Sequence, residues 1–512
     1  MAESPRYLHQ DAIITGWDFS TGAVKCLAFD LGGNVLVDVR LPTDLWTEDG
    51  VAELNLMQLE GQAYASTRGI ANQLLELNRL HHWLAGGISA THHTAGRIDS
   101  DKLQVRRAIC WNDHTLAAYH KRGLERLGGQ EKVRGHIGGP WAIRYSLRHL
   151  VKDEVHLSKE DWTRTYKIGT HGVLAAGYLT GNFDVTSVSS AASTGVMNLR
   201  TNTWCRGMLE ALESTEYREL AWAQLPRIVD QSEPVGRLRR GLAEDLGVTP
   251  DAAPFVFPTS DDQQAGLIGG GAVDAGQMAI ILGNSAVVNS SAMEPPQTDS
   301  LDSMKLNWGP YLWMRCYNNG AQFLDRVVGE TPNWKFLETE ARKCPAGANE
   351  HFVLPFIAPE PSLGVKTAQL KWIPTQPADI GMQFRVSLEA IAYLIALGVR
   401  AHEENGQQIS RITVSGGIAK SELMCEILAT VLNRRLERLQ SDEGPALGAA
   451  VTALAALETH LRRQDGVDDP FTVAHAVTTM VQFGEPVDPN PQWGAAYEHG
   501  FRQFEDKLKM LG

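Results

Sequence analysis

Two apolar-rich runs, 12–18 and 24–30, flank the polar turn at Ser20 to Gly22, and a second turn at Gly32 to Asn34 leads into a third run. This spacing predicts a β-meander. From 54 to 80 the apolar positions recur at helical spacing, and the strand-like "AGGISAT" follows at 85–91. "RRAICWND" brings a further strand to a polar end at Asn112 and Asp113. Strands and helices alternate, which predicts an α/β fold. Residues 114–230 read mainly as helix, with turns at "GHIGGP" and "LTGNFD"; strand character returns in "LPRIVDQSEPVGRL" and "APFVFPTS". Beyond the glycine-rich "GLIGGGAVDAGQ" comes "MAIILGNSAVVNSS", again strand, small turn, strand. The segment "RITVSGGIAKSELMCEILATVLNRRL" predicts a strand, a glycine turn and an amphipathic helix with Leu423, Ile427, Leu428 and Val431 on one face. "DEGPALGAAVTALAAL" predicts a closely packing helix of small residues with Pro445 in its first turn.

A chain of 512 residues exceeds one typical core, so two lobes are expected, with a boundary near residue 258. With 43% hydrophobic and 21% charged residues the chain is globular rather than disordered. A net charge of −13 argues against nucleic acid as the main partner, because phosphate neutralisation needs clustered Lys and Arg. The six cysteines form no CxxC pair and the sixteen histidines no HExxH pattern, which points to reduced thiols without structural zinc. The absence of a leader pattern and of a long apolar run leads us to expect a cytoplasmic protein with no membrane partner.

The candidate chemistry is acidic and glycine-rich. Nucleotide signatures fail individually: "GGIAKS" lacks the glycine spacing of a P-loop, and Gly269 to Gly271 is followed by Asp274 where a dinucleotide fingerprint needs glycine. The turns in "TGWDFSTGAVK" and "ILGNSAVVNSS" can each offer backbone N–H groups to a phosphate, although two ordinary hairpins would look the same. Gly416 and Gly417 would let a flat ligand lie against the backbone; a plain strand-to-helix turn would also use them. In "SDDQQAG", one of Asp261 and Asp262 can cap the following helix while the other does chemistry.

Taken together, "GWDFST", "WNDHT", "SDDQQAG", "ILGNSA" and "SGGIAKSELMCEILATVL" resemble, in this order and over residues 12 to 457, the FGGY family of carbohydrate kinases, most of all its xylulokinase members. The resemblance implies two actin-like, ribonuclease-H-like lobes with a cleft between them, a sugar-binding lobe at 10–258 and a nucleotide-binding lobe at 259–512. It implies ATP and Mg2+, a sugar substrate, and an assembly that is often a homodimer. The register puts Asp262 in the catalytic-base position and Asp18 in the magnesium-linked position. His93, Asn112 and Asp113 fall on sugar-binding positions. Thr21, Lys25, Asn284, Ser285, Gly320, Gly416, Gly417 and Ser421 fall on nucleotide-binding ones. At the start of a helix, Asp262 is expected to stay ionised at ordinary acidity, with Asp261 as the N-cap.

The acceptor expected from the resemblance is D-xylulose, phosphorylated to D-xylulose 5-phosphate. Departures from the family pattern keep other acceptors open, among them ribulose, a tetritol, glycerol and a sugar acid. Thr91, His92 and Thr94 stand where glutamine, methionine and glycine are usual; "APEPSLGVKTAQ" lacks the family's Gly-Glu-Arg-Thr-Pro stretch; and "RYSLRHLVKDE" lacks an expected tryptophan. A sugar acid would require a cation in the pocket, for which Arg97 and Arg144 are candidates. A non-catalytic actin-like binder of nucleotide and sugar is the alternative outside the enzyme class.

Overall fold

In the computed structural model, residues 7–509 other than Glu330 and Asp442 are described. The expected meander is present as Ile13–Phe19, Ala23–Phe29 and Val35–Pro42, paired antiparallel. Ile13–Phe19 also pairs in parallel with Trp83–Ala90. That strand in turn pairs in parallel with the short Phe255–Val256 and Ser260–Asp261. Every residue of Ile13–Phe19 is buried, as expected of a central strand covered on both faces. The helix Leu56–Glu76 starts where the Asn55 side chain accepts the Met57 N–H at 3.0 Å. It buries Leu59, Ala63, Ile70 and Leu74 at helical spacing in a core shared with Trp17, Phe19 and Ile88.

The strand expected near Cys110 is Gln104–Ile109, and it does not join this sheet. It belongs to a second sheet with Leu45–Glu48, Val51–Leu54, Ala95–Asp99 and Thr165–Thr170. These strands are only four to six residues long, so their hydrophobic signal along the chain is weak.

The chain forms two compact units. The first contains residues 1–269, 303–312 and 445–481, and the second contains 270–302, 313–444 and 482–512. A single cut near residue 258 therefore does not separate them. The 260–269 segment stays with the first unit because Ser260–Asp261 is hydrogen-bonded to its central sheet. Most of the small-residue helix Gly444–Gln464 returns to that unit as well. The reason is steric: a Cβ on Gly16 would lie 1.8 Å from the Ala446 carbonyl oxygen, and one on Gly87 would lie 2.1 Å from that of Ala449. Only backbone against backbone fits there.

The second unit repeats the local plan of the first. Gln277–Leu282 and Ala286–Ala292 form an antiparallel hairpin, and the first of these strands pairs in parallel with Arg411–Ser415. Its core helix, Ile380–Glu404, is apolar and long enough to cross a membrane by composition, but 78% of its most apolar stretch is buried inside the protein.

Candidate active site

Three parallel strands of the first unit end together. Asp18 and Ser260 both register with Ser89, and Asp261 registers with Ala90. The carboxyl ends of parallel strands are where ligands of α/β sheets bind, and here that edge is lined with acids. Asp18 is 6% exposed and accepts a 2.9 Å hydrogen bond from Ser89 Oγ. Asp261 is buried; its backbone N–H donates to Ser189 Oγ at 3.2 Å, and its Oδ1 accepts from Ser190 Oγ at 3.4 Å. Asp262 begins the helix Asp262–Gly269 with its side chain 28% exposed.

One sequence expectation about this pair is corrected. Burial pushes the Asp262 carboxyl up to about 7; His92 opposes the rise, while Asp261 and Asp18 add to it. Desolvation and like charges thus outweigh the helix terminus that was expected to hold it at ordinary acidity. The carboxylate of Asp261 is turned to Ser190 and His92.

His93 is 2% exposed and adopts φ +59°, a left-handed conformation uncommon outside glycine. Its Nδ1 lies 2.8 Å from the Ser193 carbonyl oxygen. A carbonyl only accepts, so Nδ1 carries the hydrogen and Nε2 is left as the acceptor. Burial drives the ring well below the ordinary histidine range, aided by His92, Arg144 and Arg148, so it is neutral. Thr91 ties this loop to the first strand, since both its N–H and its hydroxyl donate to the Phe19 carbonyl at 3.0 Å.

Asn112 has a buried Oδ1 with no protein hydrogen-bond partner. Asp113 is more committed. It accepts from the Thr115 N–H at 2.8 Å, capping a short helical turn, and pairs with Lys152 at 3.3 Å. A carboxylate has about four lone-pair sites, so these contacts do not exhaust it. Thr21 lies in the turn between the first two strands, and Lys25 registers opposite Asp18.

The second unit holds a cavity of about 840 Å³ lined by Gly283, Asn284, Gly417 and Ser421, with Trp334, Phe384 and Leu388 as apolar wall. Ser285 completes the hairpin turn beside Asn284, where the Gly283 N–H donates to its carbonyl at 3.0 Å. Ser421 caps the helix Glu422–Leu432 and donates to Glu338 at 3.1 Å, so its hydroxyl is engaged. Gly320 and Gly416 do not line the cavity. A Cβ on Gly320 would come within 2.5 Å of the Gly283 carbonyl oxygen, and Gly416 has φ +95° with the Leu282 carbonyl oxygen 2.5 Å from its Cβ position. Both glycines permit close backbone packing beside the cavity rather than forming its surface.

Sequence reasoning missed the aromatic wall and missed His92. Trp334 is 49% exposed, and an exposed indole beside a cavity has no core role. His92 stands where the resemblance expects methionine, a departure that was visible in the sequence without its consequence.

Comparison with known proteins bears on the whole chain. Residues 13–269 match the FGGY family of carbohydrate kinases, N-terminal domain, and residues 374–457 match its C-terminal domain. A xylulose kinase of Staphylococcus epidermidis is 24% identical over 97% of this chain and 97% of its own. A xylulose kinase of Escherichia coli is 26% identical over 86% and 89%. The crystal structure of a gluconate kinase from Lactobacillus acidophilus superposes with a TM-score of 0.83 at 19% identity, covering 98% of each chain.

Proposed function

Because the chain belongs to the FGGY family of carbohydrate kinases, we propose that this sugar kinase transfers the γ-phosphoryl group of ATP to a terminal hydroxyl of D-xylulose, giving D-xylulose 5-phosphate. The acceptor is supported by the full-length likeness to xylulose kinases. The observation that carries the chemistry is Asp262: a partly exposed carboxylate at a strand-end acidic edge, with its pKa raised to about 7, where a general base works best at neutral pH.

As the acceptor oxygen bonds to the γ-phosphorus and the bond to the bridging oxygen of ADP breaks, Asp262 takes the acceptor's hydroxyl proton. His93, through the unprotonated Nε2, and Asn112, through its unpaired Oδ1, would orient the sugar, with Asp113 beside them. Thr21 and Lys25 in the first unit, and Asn284 and Ser285 in the second, are the proposed phosphate donors. Gly417 and the face carrying Ser421 would line the adenosine, with Gly320 and Gly416 shaping the wall. A magnesium ion bound with the nucleotide supplies charge neutralisation at the phosphates. Among the described residues no group of three or more His, Cys, Asp or Glu forms a metal site. Asp18 would hold such an ion from the protein side. The work belongs in the cytoplasm, where ATP is available.

A second reading, a sugar-acid acceptor, is favoured by one observation. Arg97 is ruled out as the cation, since it is buried against Asp153 at 2.7 Å and stacked on Trp162. Arg148, however, is 4% exposed with an unpartnered Nε, and both it and Arg144 act electrostatically on His93. A coupled ADP-release assay across D-xylulose, D-ribulose, erythritol, glycerol and D-gluconate separates the readings. D-xylulose should give the highest kcat/KM; a higher value for gluconate would replace it, and no ADP release with any acceptor would leave a nucleotide-binding protein. With the best acceptor, kcat/KM should fall tenfold per pH unit below about pH 7, because protonation of Asp262 removes the base. A profile flat down to pH 5 would exclude that assignment.

A further inference from the structure

The ring of His92 is set among the groups proposed to do the chemistry. Its Nε2 lies 3.0 Å from Asp261 Oδ2, and its Nδ1 lies 3.9 Å from Asp262 Oδ1. On its face it stacks against His93, with ring centroids 4.1 Å apart and planes within 5° of parallel. Neighbouring side chains on an extended strand point to opposite faces; the left-handed turn at His93 is what brings these two rings together. The side chain of His92 is 7% exposed and that of Asp261 1%, so neither is a solvated surface group.

We propose that His92 is a positioning residue for proton transfer: it stands beside the two adjacent carboxylates, in close contact with Asp261, and through its stack on His93 it holds the acceptor-binding histidine and the acidic pair in one assembly. This rests on the reading of Asp262 as the base. The physical need is specific. Asp261 and Asp262 are consecutive acids that repel each other, and the side chain of Asp262 is 28% exposed. A ring held by stacking and placed beside them gives Asp261 a partner inside the protein. A methionine at this position has no polar atom that can donate to either acid, so the device is a property of this chain rather than of the residue pattern it resembles.

The test is a mutational cycle on the full-length enzyme with the best acceptor. His92→Phe keeps a flat ring on His93 but removes both nitrogens. It should lower kcat about 100-fold, the loss expected from misplacing a reacting group by about 1 Å. The acceptor KM should rise while the KM for ATP and the calorimetric affinity for ADP stay unchanged. His92→Gln, whose amide nitrogen reaches the position of Nε2, should recover to within about tenfold of the wild type, a rescue that a packing role would not give. Asp261→Asn should lower kcat, and the double variant His92→Phe/Asp261→Asn should lose less than the product of the two single losses, because both changes break the same His92–Asp261 contact. If His92→Phe fails to fold, His92→Gln and Asp261→Asn carry the test, since coupling is then read from the His92→Gln/Asp261→Asn pair. The proposal is overturned if His92→Phe stays within threefold of wild type, if His92→Gln is no better than His92→Phe, or if the losses multiply. Wild-type turnover separates the two levels: an inactive wild type sinks the kinase reading, whereas an active wild type with an unaffected His92→Phe sinks only the role of His92.

Discussion

Asp262→Asn should lower kcat by about 10³-fold, within the range that a positioned general base contributes. The amide matches the carboxylate in shape, so the sugar and the nucleotide should bind as before; what it cannot do is accept the acceptor's proton. Stability should move the other way. The Asp262 carboxyl titrates near 7 in the folded protein, above its ordinary value, so the folded state resists its ionisation. A raised carboxylate pKa costs stability progressively as pH climbs from the unfolded value towards about 7, and that cost is fully present at pH 8. Removing the charge relieves it. At pH 8 the variant should therefore be inactive yet at least as resistant to denaturant as the wild type, which is how a functional group held against its own solvation behaves. Single-turnover ADP release, ADP calorimetry and a denaturant titration read the three quantities. A variant that keeps kcat within tenfold of wild type would remove Asp262 from the chemistry, and a loss of activity matched by a loss of stability would make it a structural residue.

Much of this arrangement was legible from the sequence, and the part that was not has a physical cause. The meander at the N-terminus, the hairpin around Gly283 to Ser285 and the strand ahead of Gly416 were readable because their periodicity is local. The placement of Asp18 and Asp262 on one edge was accessible only through the resemblance, since the strands carrying Asp18 and Asp261 do not pair directly but through Trp83–Ala90, far from either in the chain. The acidity of Asp262 was misjudged because sequence shows the helix start and hides the desolvation and the neighbouring acids. The linear division near 258 missed the return of the helix Gly444–Gln464 to the first unit, since its small residues announce close packing without naming the partner. His92 is legible as a departure from the family pattern, but its contact with Asp261 is not. Its role needs the stack on His93, and that stack needs a left-handed backbone that no composition rule assigns to histidine.

Gly16→Ala should destabilise the protein by about 3 kcal/mol or more, at the upper end of what overpacking costs. The added methyl would sit 1.8 Å from the carbonyl oxygen of Ala446 and 2.7 Å from its carbonyl carbon, and neither backbone atom can swing aside as a flexible side chain would. Relief requires the strand Ile13–Phe19 and the helix Gly444–Gln464 to part. The strand cannot shift alone, since it is hydrogen-bonded on both sides, to Ala23–Phe29 and to Trp83–Ala90. Asp18 is two residues further along the same strand and on the same face of the pleat, so a shift of that strand is transmitted to its carboxylate. The same substitution elsewhere in this unit gives the opposite sign. Gly61 is an exposed position inside the helix Leu56–Glu76, and a Cβ there meets nothing within 4 Å. Gly61→Ala should stabilise by about 0.5–1 kcal/mol through backbone entropy alone. Denaturant midpoints for the two variants, read alongside kcat, separate the causes: Gly16→Ala should lose both stability and turnover, and Gly61→Ala should gain stability with turnover unchanged. Equal behaviour of the two would mean that the helix Gly444–Gln464 does not clamp the strand that carries Asp18.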